Sequence, residues 1–205
     1  MELSVKQERV AIWSDAGGRE AALVQRCAAR DESAFAELVA EHRRAIVQLG
    51  LNLLGDEDEA LDLSQEVFLT VFRKIHCFEG KSALRTWIYR IAINQARNRH
   101  RLWKRRHRND QISIDDHIAE HGEFYSGEES APDQVFAQKE LASRLKHAFD
   151  GLPFDQRTAI VLREIDGMSV EDIARSVNSS IGSVKSRLTR ARLTLRAQLR
   201  EARAR

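Results

Sequence analysis

The 205 residues predict an all-α fold: two small helical domains joined by an acidic flexible linker, the C-terminal one a helix-turn-helix. Three observations predict it. Apolar residues recur at three- and four-residue steps through most of the chain. Only 2 prolines and few β-branched runs interrupt that spacing. Charge is segregated into long single-sign blocks, which a net charge of +2 conceals.

The blocks divide the chain. From Lys81 to Asn109 there is no carboxylate, but there are ten cations: Lys81, Arg85, Arg90, Arg97, Arg99, Arg101, Lys104, Arg105, Arg106 and Arg108. From Asp110 to Gln138 the sign reverses, with Asp110, Asp115, Asp116, Glu120, Glu123, Glu128, Glu129 and Asp133 and no Lys or Arg. From Ile173 to Arg200 it reverses again, through Arg175, Lys185, Arg187, Arg190, Arg192, Arg196 and Arg200. Two basic blocks flanking an acidic spacer point to two contacts with a polyanion. Solvated helix faces are the plainer explanation, but solubility does not require the opposite sign to be missing for so long.

Taken in order, residues 1–18, ending in Asp15-Ala16-Gly17-Gly18, read as a loose arm. Leu23, Cys27, Phe35, Leu38, Val39, Ile46, Leu49 and Leu53 then keep helical spacing, broken by a turn near Asp31-Glu32-Ser33. Gly55 suits a helix C-terminal cap, and Asp56 opens an acid-rich first turn that complements the helix dipole. Ala60, Leu63, Val67, Val71 and Ile75 form the buried stripe of that helix. His76 to Ser82, with Gly80, is a loop. From Leu84, helical spacing resumes through Trp87, Ile88, Ile91 and Ala92, with Trp87 expected in the core in register with Ile91. The acidic stretch has Gly122, Ser126, Gly127, Ser130 and Pro132 and little periodicity, so it reads as a tether. A second domain starts near Val135, with Leu141, Leu145 and Phe149 on one face. The boundaries are an arm over 1–18, a first domain over 19–108, a linker over 109–135 and a second domain over 136–205.

Within the second domain, Ser169 followed three residues later by Asp172 is a variant capping box that starts a short helix. Ile173, Ala174 and Val177 face inward, and Asn178-Ser179-Ser180 supplies a turn. A second helix runs from about Ile181 to Leu199. Val184, Leu188, Ala191 and Leu195 share one side of it; Lys185, Ser186, Thr189, Arg190 and Leu193 lie opposite. Long cations mixed with short hydroxyls are what a reader of the DNA major groove needs.

Composition narrows the function. An apolar content of 42% is that of a globular chain, and no apolar stretch approaches the roughly 20 residues that span a bilayer, so no membrane insertion is expected. The N-terminus lacks a basic start followed by an apolar run, so a cytoplasmic protein without a secretion signal is expected. Cys27 and Cys77 are too few and too far apart for a disulfide framework or a zinc site. Histidines are scattered, with no Gly-rich phosphate loop and no nucleophile–base pattern. No catalytic residue, metal or cofactor is therefore expected.

With the helix-turn-helix placed, a resemblance emerges. Asp62-Leu-Ser-Gln-Glu-Val-Phe68, Phe78-Glu-Gly-Lys-Ser82 and Thr86-Trp-Ile-Tyr-Arg-Ile-Ala-Ile-Asn94 resemble region two of bacterial RNA polymerase sigma factors of the compact extracytoplasmic-function class. Leu152-Pro-Phe-Asp-Gln-Arg157, Gly182-Ser-Val-Lys-Ser-Arg-Leu188 and Arg190-Ala-Arg192 resemble region four of that class. The resemblance implies a promoter-specificity subunit of RNA polymerase. Asp62, Gln65 and Glu66, opposite Val67 and Val71, would dock on the β′ coiled coil, with the β subunit as a further partner. Phe78, Lys81 and Ser82 would hold a base of the promoter −10 element, and Asn94, Arg97, Asn98 and Arg101 would follow the strand. Lys185, Ser186, Thr189 and Arg190 would face bases of the −35 element, and Arg187 and Arg192 its phosphates. An anti-sigma factor is a further implied partner. The alternative is a polymerase-independent helix-turn-helix regulator, which would bind duplex alone and have no use for Asp62 or Gln65. A nucleic-acid enzyme would need metal-ligand spacing that the chain lacks.

Overall fold

A computed structural model describes residues 18–109 and 147–203, with side chains described over 18–105 and 147–200. Residues 1–17 of the predicted arm, 110–135 of the predicted linker, and Leu141 and Leu145 lie outside the described residues; Gly18 and Asn109, expected in the arm and the linker, are instead the ends of helices. Among those described, every regular element is a helix. They are α1 (Gly18–Ala28), α2 (Glu32–Leu54), α3 (Glu57–Lys74), a 3-10 turn (Ile75–Cys77), α4 (Leu84–Asn109), α5 (Phe154–Ile160) continued by a π-helical turn (Val161–Ile165), α6 (Val170–Ser176) and α7 (Ile181–Arg203). Residues 147–150 are helical as well. None is long and apolar enough to cross a membrane. Packing groups the described residues into two compact units, one within 1–99 together with Glu171–Ser179, the other within 100–170 together with 180–205.

In the first unit, local chemistry sets the helix ends. The Asp31 carboxylate accepts from the Ser33 and Ala34 N–H groups and so caps α2. These bonds, with the Ser33 hydroxyl foremost and Arg26 contributing, lower the Asp31 pKa to about 2. At the other end Gly55 adopts φ 80°, the left-handed conformation that only glycine takes at little cost, and its N–H returns to the Leu51 carbonyl. Asp56 then caps α3 through the Glu59 N–H.

α2 and α3 pack closely because Gly50 has no side chain. A Cβ there would stand 3.1 Å from both the Cα and Cβ of Ala60. The expected stripe of α3 is buried in full: Ala60, Leu63, Val67, Val71 and Ile75. Phe35 meets Phe72 edge to face at 5.0 Å, and Arg30 lies over the Phe72 ring while donating to its carbonyl at 3.0 Å. Cys27 is buried, which pushes its thiol pKa up and keeps it protonated, while Cys77 is exposed.

α4 differs from the expectation in its rotation. Its buried side is Leu84, Ile88, Tyr89, Ala92, Ile93 and Ala96, whereas Trp87 and Ile91 are only half-buried. The 84–88–92–96 and 89–93 rows form the apolar face, and Trp87 sits at its margin. Tyr89 is tolerated inside because Arg85 lies over its ring and donates to its hydroxyl at 3.2 Å. The first turn of α4 is anchored from far away in sequence, by the Glu20 carboxylate accepting from the Leu84 N–H at 2.9 Å.

In the second unit, Arg157 is buried and donates to the Asp150 carbonyl at 2.6 Å, with the Asp150 carboxylate 3.3 Å away. Burial lowers its pKa and Asp150 opposes that shift. After α5 the π-helical turn ends at Ile165; the chain then turns at Gly167, φ 66°, and Arg163 donates to the Met168 carbonyl at 2.8 Å. The Ser180 hydroxyl accepts from the Ser183 N–H at 3.1 Å and caps α7. Along α7, Val184, Leu188 and Ala191 are buried and Leu195 half-buried.

Candidate functional site

Three surfaces carry the predicted site residues. The first is on α3, where Asp62, Gln65 and Glu66 are all exposed because Leu63, Ser64 and Val67 take the inward positions. A shallow apolar groove runs beside them, lined by Phe35, Val39, Arg43, Leu61, Gln65, Phe68 and Leu69. Leu69 is 54% exposed, a large apolar side chain left at the edge of a polar face. Polar residues around an apolar depression are the anatomy of a protein interface.

Glu66 also has a partner that sequence reasoning missed. Arg99, from α4, sends Nη2 to its Oε1 at 2.9 Å and Nη1 to Glu59 Oε2 at 2.6 Å. Burial works against the charge of Arg99, but the hydrogen bonds it donates to the Glu66 and Glu59 carboxylates outweigh it and raise its pKa overall. Arg99 is one of the ten cations of the first basic block, yet two acids outside the block neutralise it. The only sequence signal was the placement of Glu59 and Glu66 seven residues apart on one helix.

The second surface joins the loop after α3 to the outer side of α4. Phe78 and Ser82 are half-buried, and Lys81 is exposed and ion-paired to Glu79. The Phe78 ring lies 5.3 Å from that of Trp87, so the two aromatics share one patch at the start of α4. Farther along, Asn94, Asn98 and Arg101 are exposed and Arg97 half-buried, with Arg97 donating to the Asn94 amide oxygen at 3.5 Å. Spacing of three and four residues puts these four on one face. Beyond them Leu102 and Trp103 are about half exposed among Arg101, Lys104 and Arg105.

The third surface is α7. Lys185, Ser186, Thr189 and Arg190 are exposed on the side away from Val184, Leu188 and Ala191. Thr189 donates back to the Lys185 carbonyl at 3.1 Å, which turns its hydroxyl along the helix. Arg187 and Arg192 are engaged within the unit. Arg187 is paired with Asp155 at 3.3 Å, and Arg192 donates twice to Glu164 Oε1, at 2.6 and 3.2 Å. Asp155 lies in the Leu152–Arg157 motif, so this motif and α7 hold one another by charge as well as by packing.

Two family models match this chain: Sigma-70 region 2 over residues 38–116 and Sigma-70 region 4 over residues 142–195. The RNA polymerase sigma-H factor of Pseudomonas aeruginosa is 37% identical over 175 residues, covering 83% of this chain and 88% of that protein. The ECF RNA polymerase sigma-E factor of Escherichia coli K12 is 36% identical over 174 residues, covering 83% and 88%. Among solved structures, the sigma factor RpoE of Bartonella quintana, in complex with the anti-sigma factor NepR, matches with a TM-score of 0.63 at 28% identity, covering 81% of this chain and 96% of that one. CnrH, solved with the cytosolic domain of CnrY, shares the fold with a TM-score of 0.63 at 24% identity, covering 87% and 96%. The chain belongs to the sigma-70 family, as an extracytoplasmic-function sigma factor that directs transcription initiation.

Proposed function

We propose that this sigma factor divides its task among the three surfaces, with residues 19–108 as region 2, 109–135 as a tether and 136–205 as region 4. Asp62, Gln65 and Glu66 dock on the β′ coiled coil of core RNA polymerase, and the β subunit supplies a second contact. The observation that carries this part is the exposed carboxylate–amide face beside an apolar groove. Carboxylates on a rigid helix set register and on-rate against a basic partner, and the groove provides the apolar centre. The Phe78–Ser82 loop holds a base of the −10 element, helped by the Phe78–Trp87 aromatic patch, while Asn94, Arg97, Asn98 and Arg101 follow the separated strand.

Lys185, Ser186, Thr189 and Arg190 read the −35 duplex from the major groove. Arg187 and Arg192 lie nearer the phosphates. An exposed ion pair is worth only about 0–1 kcal/mol, so Arg192 can exchange Glu164 for a phosphate at little cost. The proposed role is binding, with no catalytic step and no cofactor. The Bartonella quintana relative was solved with an anti-sigma factor, which supports a protein inhibitor for this chain too, in the cytoplasm where polymerase works.

Exchanging Asp62→Ala together with Gln65→Ala tests the reading. Both side chains are exposed, so the fold should stand while co-purification with core polymerase is lost. A double variant that still co-purifies with core would refute the docking face.

A further inference from the structure

Two side chains of α4, one turn apart, hold the Glu59, Glu66 and Thr70 side of α3. Gln95 donates to the Thr70 hydroxyl at 2.9 Å, and that hydroxyl donates to the Glu66 carbonyl at 2.9 Å. Arg99 Nη2 donates to the Glu66 carboxylate at 2.9 Å, and its Nη1 donates both to the Glu59 carboxylate at 2.6 Å and to the Glu59 backbone carbonyl at 3.3 Å. The Glu66 side chain is thus gripped directly by Arg99, and its carbonyl is tied through Thr70 to Gln95 of the same helix α4.

We propose that Arg99 is a positioning residue that orients Glu66 for polymerase and couples docking to the setting of the −10-reading helix. This rests on the docking role given to α3 above. The physical grounds are three. Arg99 is only 20% exposed while its two carboxylates are more than half exposed, so the ion pairs form where water screens less than at an open surface. The planar guanidinium meets the two acids, two helical turns apart, with separate nitrogens in a fixed fork, Nη1 to Glu59 and Nη2 to Glu66, whereas an ammonium would have to share rotatable donors on one atom. A half-exposed glutamate otherwise samples several rotamers, and a partner must freeze it; Arg99 freezes it beforehand. Because the same guanidinium belongs to α4, a polymerase cation drawing on Glu66 alters the tie on α4, and by linkage a strand held on α4 alters docking.

The test is a double-mutant cycle on the full chain, read by fluorescence anisotropy of labelled protein titrated with purified core polymerase. Arg99→Gln and Glu66→Gln should each weaken binding by about fivefold or more, and the double variant should be no weaker than either one. Arg99→Lys should recover only part of the loss. Glu59→Gln removes an ion pair from the same guanidinium without touching docking, so it should leave affinity within about twofold while lowering the thermal midpoint. Additive losses, an unchanged Arg99→Gln affinity, or an equal loss in Glu59→Gln would each overturn the proposal. So would an Arg99→Gln defect seen only in −10 strand binding. Failure of the docking face itself is distinguishable, because it would appear as retained binding by the Asp62→Ala, Gln65→Ala variant.

Discussion

Lys185 and Arg190 lie on the face of α7 turned from its buried row, each exposed and each long enough to reach a base edge. Their truncation should therefore cost promoter discrimination rather than stability. Lys185→Ala or Arg190→Ala is expected to lower output from −35-dependent promoters by about 1–3 kcal/mol of discrimination per lost base contact, measured by run-off transcription on matched and mismatched −35 sequences. Arg187, paired with Asp155, should instead affect all promoter sequences alike. Asp31 makes a different kind of prediction. Its pKa of about 2 lies below the ordinary 3.8, so the folded state favours the carboxylate. The stability it contributes is full above about pH 4 and disappears as pH falls through about 2. In acid titrations of the thermal midpoint, Asp31→Asn should flatten the loss between those values; an unchanged slope would show that the cap does not titrate as described.

At the scale of elements, the crossing of α2 and α3 depends on Gly50. Its missing Cβ leaves only contact distance to the Ala60 backbone, which cannot yield as a flexible side chain would. Gly50→Val should lower stability by about 1–3 kcal/mol in denaturant unfolding, with a shift in midpoint rather than slope. Helix existence and ends were legible because their signals are local: Asp31, Gly55, Asp56 and Ser180 each act within a few residues. The exposed sides of α3 and α7 followed from the 3.6-residue period for the same reason. The rotation of α4 was less legible, since Trp87 and Tyr89 are both aromatic and only packing decides that Tyr89 goes inside. What lay beyond reach was contact across long sequence separations. Glu20 capping Leu84 is 64 residues away, and Arg99 reaching Glu59 is 40. Charge counting placed Arg99 with the nucleic-acid cations, whereas geometry gives it to two carboxylates.

At the scale of the whole molecule, the acidic segment between the basic blocks sets the logic. Promoter elements two helical turns apart stand about 70 Å from one another. A flexible chain of the linker's length has an r.m.s. reach of about 30 Å and approaches about 90 Å only when fully drawn out. If the segment is the tether that the sequence leads one to expect, the correct spacing is predicted to be rare in the free protein, with core polymerase serving as the ruler. An independent helix-turn-helix regulator would need no such ruler. The deciding measurement is binding of the purified full chain to a labelled promoter duplex at physiological salt, with and without core polymerase. Weak, sequence-indifferent binding alone and tight, sequence-specific binding with core is the predicted result. Tight specific binding by the chain alone, unchanged when core is added, would contradict it.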